Sequence, residues 1–222
     1  VINLKLAKSI ASFFIINRYI IIMQKNLSRL LLVLLPAAFF ISCETDTTPR
    51  PMGFPKVNYP IAKDTLLYND PNCPYTFLLP DYYEINNKVT FFNQAPENPC
   101  WMNLICKDLN ATIYFSYKEL TDETSIDRLI EDAYKLTYKH SSRADFIEPQ
   151  EIENQFGVKG LIYFVGGDAA SNFQFFVTDT TYHFVRGALY FNSAPNADSL
   201  KPIVQYMVGD IEGMLGSWKW RD

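Results

Sequence analysis

The chain has 222 residues, of which 48% are hydrophobic and 15% aromatic, and its formal net charge is −4. Five of its 20 basic residues and none of its 24 acidic residues fall within positions 1–42, so residues 43–222 carry a formal charge of −9. An acidic segment without a basic tract argues against a nucleic-acid-binding protein, which needs cations to neutralise phosphates, and against direct adsorption to anionic lipid.

Residues 1–22 form a first apolar stretch that begins on Val1. We predict that translation starts at Met23 and that residues 1–22 are a start-site overcall. The alternative is a genuine membrane helix ahead of the next segment.

Residues 23–42 have the parts of a secretory signal peptide. Lys25 and Arg29 form a short basic region, and residues 30–41 form an apolar block that is too short for a comfortable membrane span. We therefore predict a cleaved signal peptide over residues 23–42.

The apolar block ends on Ser42 and Cys43, and acidic and hydroxyl residues follow at once. This pattern resembles the lipobox of bacterial lipoproteins, in which the cysteine thiol is acylated and the chain is cut just before it. Phe40 departs from the pattern, since Leu is commonest there. We predict lipidation of Cys43; the alternatives are a transmembrane anchor and an ordinary signal peptide with an incidental cysteine.

Residues 43–60 contain four prolines and little apolar periodicity, which predicts an extended tether. Acyl chains on Cys43 would supply the attachment, at ~0.8 kcal/mol for each buried CH₂, and stable anchoring needs more than one chain. The remaining residues, 61–222, are long enough for a single globular domain and short for two.

Three cysteines follow the tether: Cys73, Cys100 and Cys106. An exported protein enters an oxidising compartment, so pairing is plausible, and Cys73 and Cys100 both follow turn residues and flank strand-like runs. We predict a disulfide between Cys73 and Cys100 and a buried free thiol at Cys106. Three reduced thiols packed as small apolar residues are the alternative.

The first predicted elements of the domain are a hairpin and a helix. Residues 101–106 and 111–117 are rich in strand-forming residues and are separated by a turn at 108–110. Apolar residues then recur at helical spacing from Ile126 to Thr137. Thr124 and Asp127 resemble a capping box at the helix start, and the cations at its end suit the helix dipole; they are Lys135, Lys139 and His140.

Three more strands and a second helix complete the predicted elements. The strands cover residues 158–166, 172–179 and 182–191, with connections short enough for an antiparallel meander. The helix begins near residue 198, and its first turn holds Pro202. Three glycines lower its propensity, so either tertiary packing holds it or the glycines permit close contact with the sheet; they are Gly209, Gly213 and Gly216.

Hairpin, helix, meander and helix together predict an α+β domain with one mostly antiparallel sheet and helices packed on it. The order of elements resembles the PsbP-like fold, in which helices sandwich an antiparallel sheet. A resemblance at the level of fold implies nothing about function.

A search for catalytic motifs finds no nucleophile elbow, zinc-protease helix, Walker loop or CxxC pair. The two histidines, His140 and His183, lack partners at metal-ligand spacing, so no metal site and no cofactor are predicted. His140 is interpreted as a cation at the helix end and His183 as a half-exposed strand residue.

Asp179, His183 and Arg186 lie close together along one turn and strand, and we consider them a candidate partner-binding patch. Strand alternation places Arg186 and His183 on opposite faces, so the three side chains converge only if the strand bulges.

Seven stretches of the chain resemble the family of gliding motility lipoproteins called GldD, with matching order and spacing over nearly all of residues 43–222. Cys106 departs from the aromatic or aliphatic residue expected at its position, and residues 1–22 have no counterpart. The stretches are PRPMGFPKVNYP, CPYTFLLP, CWMNL, NATIYFSYK, LIEDAYKLTYKH, QFFVTDTTYHFVRGALYFNSAPNADSL and DIEGMLGSWKW.

The resemblance implies an envelope lipoprotein that cells need for movement over surfaces and that is tied to the type IX secretion apparatus. The resemblance does not imply an enzymatic activity. It implies partners among the motility and secretion proteins, above all another lipoprotein. It also implies a lipid-anchored location at the outer membrane, facing the periplasm. The alternative from another class is a periplasmic lipoprotein that binds or hydrolyses a glycan or a small ligand.

Overall fold

A computed structural model describes residue 18, residues 23–25, 56–87 and 96–221. The chain divides into two compact units, Val1–Met52 and Gly53–Asp222. In the first unit, Arg18 and residues 23–25 are helical. Most of the predicted overcall and signal peptide lies outside the described residues, and so does Cys43.

The second unit contains ten strands and two α-helices among its described residues. The first helix, α1, spans Ile126–Tyr138 and continues into a 3-10 turn at Lys139–Ser142; the second, α2, spans Ala197–Ser217. The strands are β1 Thr65–Tyr68, β2 Tyr75–Pro80, β3 Glu84–Asn86, β4 Met102–Cys106, β5 Ala111–Glu119, β6 Ala144–Glu153, β7 Lys159–Gly167, β8 Phe173–Thr178, β9 His183–Phe191 and β10 Lys219–Trp220.

Seven strands form one antiparallel sheet in the order β3-β4-β5-β9-β8-β7-β6, and three form a small antiparallel sheet in the order β1-β2-β10. The predicted α+β architecture is confirmed, as are the hairpin of β4 and β5 and the meander of β7, β8 and β9. The small sheet and the edge strands β3 and β6 were not predicted.

The larger hydrophobic core lies between one face of the seven-stranded sheet, the small sheet and α2. Trp218 is completely buried there, and its ring centroid lies 4.8 Å from that of Tyr75 and 4.9 Å from that of Phe77. Met207 and Ile211 of α2 are buried in the same core. Truncating a buried tryptophan costs about 3–5 kcal/mol, so Trp218 is a principal source of stability.

A second, smaller core lies between the opposite face of the sheet and α1. Leu129 and Ala133 of the helix belong to it together with Phe176 and Phe184, whose rings stack at 5.1 Å. Helices therefore cover both faces of the sheet. Strand β8 runs between the two cores, and all six of its residues are buried for that reason.

The start of α1 lies one residue beyond the predicted cap. Ser125 is the N-cap, and its hydroxyl accepts a hydrogen bond from the amide of Arg128 at 3.4 Å. Thr124 is held in the preceding turn instead, because its amide and carbonyl pair with the backbone of Thr121. The predicted capping box of Thr124 and Asp127 is therefore wrong, because the cap lies one residue later, at Ser125.

The start of α2 also differs from the prediction. Asn196 caps the helix by accepting from the amide of Ser199 at 2.9 Å, so Pro202 is the sixth helical residue rather than part of the first turn. A Cβ added at Gly209 or at Gly213 would meet nothing within 4 Å. These glycines do not bring the helix close to the sheet, and packing of its apolar side holds the helix in place.

Residues 56–60, the last five of the predicted tether, contact the domain. The hydroxyl of Tyr206 on α2 donates to the carbonyl of Pro60 at 2.5 Å, and its ring packs against that of Tyr59 in a tilted arrangement, with the centroids 4.8 Å apart. The Tyr206 hydroxyl is also bonded to Tyr82, which donates to the carboxylate of Asp210 at 2.5 Å. The chain therefore enters the domain along α2 in a fixed position.

Candidate functional site

A cleft of about 820 Å³ lies beside the disulfide in the described part of the chain. The disulfide loop forms one wall, and the ends of β5, β9 and β10 form the other. We call it the disulfide cleft; its lining residues are Pro71, Asn72, Cys73, Pro74, Asn98, Pro99, Cys100, Tyr117, Glu119, Asp179, Tyr182, His183, Trp220 and Arg221.

The first wall is built around a disulfide between Cys73 and Cys100, whose Cα atoms are 5.4 Å apart. The buried hydroxyl of Tyr75 donates to the carbonyl of Cys100 at 2.7 Å. The guanidinium of Arg221 donates to the carbonyls of Asp70 and Cys73, and its backbone amide bonds to the loop as well. Arg221 thus ties the end of β10 to the disulfide loop.

The opposite wall centres on His183, at the start of β9. Its Nδ1 shares a hydrogen bond of 2.8 Å with the hydroxyl of Tyr117, and its ring stacks on Trp220 at 5.2 Å. Burial raises the pKa of Tyr117 above its ordinary value, and the carboxylates of Glu119 and Asp179 raise it further. The Tyr117 hydroxyl therefore keeps its proton at neutral pH.

Asp179 closes the turn between β8 and β9. Its Oδ1 accepts hydrogen bonds from the amides of Thr181, Tyr182 and His183 at 3.0, 2.9 and 2.8 Å. Burial alone would raise the pKa of Asp179, but the three amides and the nearby His183 bring it below its ordinary value. The carboxylate is thus ionised and engaged with the backbone.

Most polar groups of the disulfide cleft are therefore paired within the protein. Asp179 is bonded to backbone amides, His183 to Tyr117, and Arg221 to carbonyl oxygens. Glu119 and Tyr182 are exposed at the rim, and Tyr182 is 65% exposed. The cleft can offer aromatic and polar contacts to a partner or ligand, while Asp179, His183 and Arg221 already form hydrogen bonds within the fold.

Sequence reasoning missed the residues that complete this site, among them Tyr117, Trp220 and Arg221. They come from β5 and from the last described residues of the chain, and β10 reaches the site by pairing with β2. No local motif signals that pairing. The terminal stretch KWR carried no pattern beyond its aromatic content.

The predicted patch of Asp179, His183 and Arg186 does not converge. Asp179 and His183 line the disulfide cleft, but Arg186 lies on the face of the sheet that α1 covers, where it donates to Oε1 of Gln174. Strand β9 pairs with β5 in continuous register and has no bulge, so alternation separates positions 183 and 186.

His140 is not the helix-end cation that the sequence predicted. It lies in the 3-10 turn after α1, and burial together with the charge of Arg186 lowers its pKa below the ordinary value. Lys135 occupies the last turn of α1 and pairs with Glu131 at 2.7 Å.

Cys106 is buried and unpaired, and burial raises the pKa of its thiol. A buried thiol of this kind is a poor nucleophile. Among residues 56–87 and 96–221, no group of three His, Cys, Asp or Glu side chains could hold a metal ion. No helix in the described part of the chain is long and apolar enough to cross a bilayer.

Comparison with known proteins gives a family match and a structural neighbour. A family model described as "Gliding motility lipoprotein GldD" matches residues 44–220. No match was found among curated proteins. A solved structure, that of cyanobacterial PsbP (CyanoP) from Synechocystis sp. PCC 6803, aligns with a TM-score of 0.44 and 13% identity over 77% of this chain and 99% of that one. Nothing about function follows from a structural match at this level.

Proposed function

Since the chain belongs to the family of gliding motility lipoproteins called GldD, we propose that it is a non-catalytic assembly factor of the gliding machinery and the type IX secretion apparatus. The observation that carries this proposal is the family match, which spans residues 44–220. The protein would act by holding or stabilising other envelope components, another lipoprotein foremost.

The proposed attachment is through acyl chains on Cys43, with the domain on the periplasmic side of the outer membrane. The family match begins at residue 44, directly after this cysteine. A Cys43→Ala variant should therefore remain unprocessed and carry no fatty acid. Metabolic labelling with palmitate and membrane fractionation would measure this, and a Cys106→Ala variant, which keeps Cys43, should be labelled like the wild type.

A non-catalytic role is supported by how the polar groups of the disulfide cleft are used. Asp179 accepts three backbone amides, and His183 is bonded to Tyr117 through Nδ1. These pairings hold the cleft in shape, which suits a surface for protein contact.

Deletion of the gene, with complementation, tests the proposal. Cells that lack the protein should fail to spread on agar and should also fail to secrete type IX substrates, and the wild-type gene should restore both. Normal spreading and normal secretion in the deletion strain would contradict the proposed function.

The second candidate function, binding of a glycan or a small ligand, is favoured by one observation. The disulfide cleft is large enough for a sugar unit and carries Trp220 and Tyr182, whose rings could stack on one. Titrating envelope glycans into the purified domain while recording tryptophan fluorescence would test this. A saturable change that a Trp220→Leu variant lacks would favour this function, and loss of growth on one glycan with intact spreading would support it further.

A further inference from the structure

Glu119 carries an exposed carboxylate that has no cation beside it in the described part of the chain. It is the last residue of β5 and lines the disulfide cleft at its rim. The four ion pairs formed among residues 56–87 and 96–221 do not include it. The carboxylate can therefore meet a positive charge that comes from outside the chain.

Aromatic rings surround this carboxylate. Glu119 lies directly opposite His183 in the pairing of β5 with β9, so both side chains point to the same face, together with Tyr117. The ring of His183 lies 5.2 Å from that of Trp220, on which it stacks, and 6.2 Å from that of Tyr182. All five residues line the disulfide cleft, so it combines one accessible carboxylate with four rings.

Tyr182 is the most accessible of these rings, and it lies next to the carboxylate along the sheet. The amide of Leu120, which follows Glu119, donates to the carbonyl of Tyr182 at 2.9 Å. The Tyr182 side chain is 65% exposed. A ligand that reaches Glu119 in the cleft can therefore also contact the ring of Tyr182.

The electrostatics of the cleft favour a cation. Burial is the main cause that raises the pKa of Tyr117, and the carboxylates of Glu119 and Asp179 raise it further, so both charges act inside the cleft. With histidine neutral, the lining holds these two carboxylates and one guanidinium, that of Arg221, which is bonded to carbonyls of the disulfide loop. Residues 43–222 carry a formal charge of −9, which also attracts a positively charged partner.

Among cationic side chains, arginine matches this combination of groups best. Its planar guanidinium lies flat on an aromatic ring and binds a carboxylate through two parallel hydrogen bonds. The ammonium of lysine is a compact, strongly hydrated charge without a flat face. A cleft of about 820 Å³ has room for such a side chain and the backbone that carries it.

We propose that an arginine side chain of a partner protein enters the disulfide cleft, pairs with the carboxylate of Glu119 and lies against the ring of Tyr182. This inference rests on the proposed function as an assembly factor, which requires a protein partner, and it names the chemistry by which that partner is recognised. A neutral glycan could stack on the same rings, but it would leave the charge of Glu119 without a counterion.

The first test titrates the purified protein with Nα-acetylarginine amide. The amide resonances of Glu119 and Tyr182 and the indole resonance of Trp220 should shift saturably, with a midpoint on the order of 10 mM at constant ionic strength. The amide resonances of α1, which lies on the opposite face of the sheet, should stay in place. A response that is linear in concentration would overturn the proposal.

Two matched compounds separate charge from shape. Nα-acetylcitrulline amide has the shape of the arginine compound without its charge, and Nα-acetyllysine amide has the charge without the planar group. Both should bind more weakly by about fivefold or more. A citrulline compound that binds as well as the arginine compound would contradict the role of Glu119, and a lysine compound that does so would contradict the choice of arginine.

A neutral sugar decides between this inference and a glycan site. The trimer of N-acetylglucosamine should leave the cleft resonances unchanged at the concentrations that saturate the arginine response. If the trimer shifts them saturably and the arginine compound does not, the cleft binds a glycan and the proposal is overturned.

Glu119→Gln removes the charge and keeps the size of the side chain. Because the position is exposed, the melting temperature should not change, while the midpoint for the arginine compound should rise by about fivefold or more. Glu151→Gln, at an exposed position of the edge strand β6, makes the same charge change outside the cleft and should leave the midpoint as it is. An equal effect of the two variants would contradict a specific pair at Glu119.

The cellular test separates this inference from the proposed function. Glu119→Arg would repel the partner's arginine, so these cells should lose spreading although the protein accumulates to wild-type levels, whereas Glu151→Arg cells should spread normally. If the deletion strain cannot spread but Glu119→Arg cells can, the partner arginine is ruled out and the proposed function stands. If the deletion strain spreads, the proposed function fails, and the arginine titration alone decides about the site.

Discussion

At each wall of the disulfide cleft, one charged side chain forms several hydrogen bonds with the backbone of a loop. Asp179 accepts three amides in the turn before β9, and Arg221 donates to two carbonyls of the disulfide loop. Loops have few backbone partners of their own, so side chains complete their hydrogen bonds. Changes at these residues should therefore affect stability before they affect binding.

Asp179→Ala should lower the free energy of unfolding by about 1–3 kcal/mol, because three amides lose a charged acceptor. The pKa of Asp179 is lower in the folded state than in the unfolded state. Its stabilisation is therefore fully present above the unfolded pKa of about 4 and is lost as pH falls through the folded value. Urea unfolding at pH 7 and at pH 3 measures this.

Asp122→Ala is the matched control for this experiment, since Asp122 is an exposed aspartate in a loop. It should change the free energy of unfolding by less than about 0.5 kcal/mol at either pH. A difference between wild type and Asp179→Ala that stays constant down to pH 2 would contradict the assigned role of the carboxylate.

For single residues, the sequence predicts contacts between neighbours in the chain better than contacts between residues that are far apart in it. Asp179 and His183 are four residues apart in a turn, and they do share the cleft. Trp220 joins them only because β10 pairs with β2, at a separation of about 145 residues that no local pattern encodes. Arg186 was grouped with them by spacing, although alternation along a regular strand sends it to the other face.

At the scale of elements, hydrophobic periodicity predicted the helices and strands that bury one face. The helices α1 and α2 and the β4–β5 hairpin alternate between apolar and polar residues at their proper period, whereas the strands of the meander were predicted from apolar runs with short connections. Strand β6 was not predicted because it is an edge strand with Pro149 and several acidic residues, most of them exposed. Such features protect a sheet edge from pairing with other chains, and they also hide it from a search for apolar alternation.

Substituting alanine for a glycine should change the free energy of unfolding in opposite directions in helix α2 and in strand β9. Gly213 lies within α2 and faces open space, so Gly213→Ala should raise the free energy of unfolding by about 0.5–1 kcal/mol through helix propensity. A Cβ at Gly187 of β9 would come within 2.1 Å of the Phe175 ring, so Gly187→Ala should lower it by about 1–3 kcal/mol.

Urea unfolding followed by circular dichroism measures both effects, and Gly209→Ala serves as a second helix variant with the same open surroundings. If all three alanine variants lose stability to the same extent, the packing described around β9 and α2 is incorrect.

At the scale of the whole domain, one disulfide links the small sheet to the large one. Cys73 lies just before β2, Cys100 lies before β4, and the two are 27 residues apart. A cross-link over a loop of this size restricts the unfolded chain and can contribute about 3 kcal/mol. The same bond shapes one wall of the cleft.

Reduction should therefore lower the free energy of unfolding by about 3 kcal/mol in the wild type. The doubly substituted Cys73→Ser, Cys100→Ser chain should have the lower stability from the start and should not respond to the reductant. Cys106→Ala keeps both bonded cysteines and should respond like the wild type. A response to reductant in the double variant would contradict this assignment, and mass spectrometry of unreduced peptides would identify the bond directly.

The pairing of β10 with β2 also bears on when the chain can fold if it is exported as proposed. Residues 219–221 supply the third strand of the small sheet and the guanidinium that fastens the disulfide loop, while their partners lie at residues 70–76. A chain still threading through the translocon has its early hairpin outside but not the strand that completes it. Final closure of the domain must therefore wait until residue 221 has been released to pair with those partners.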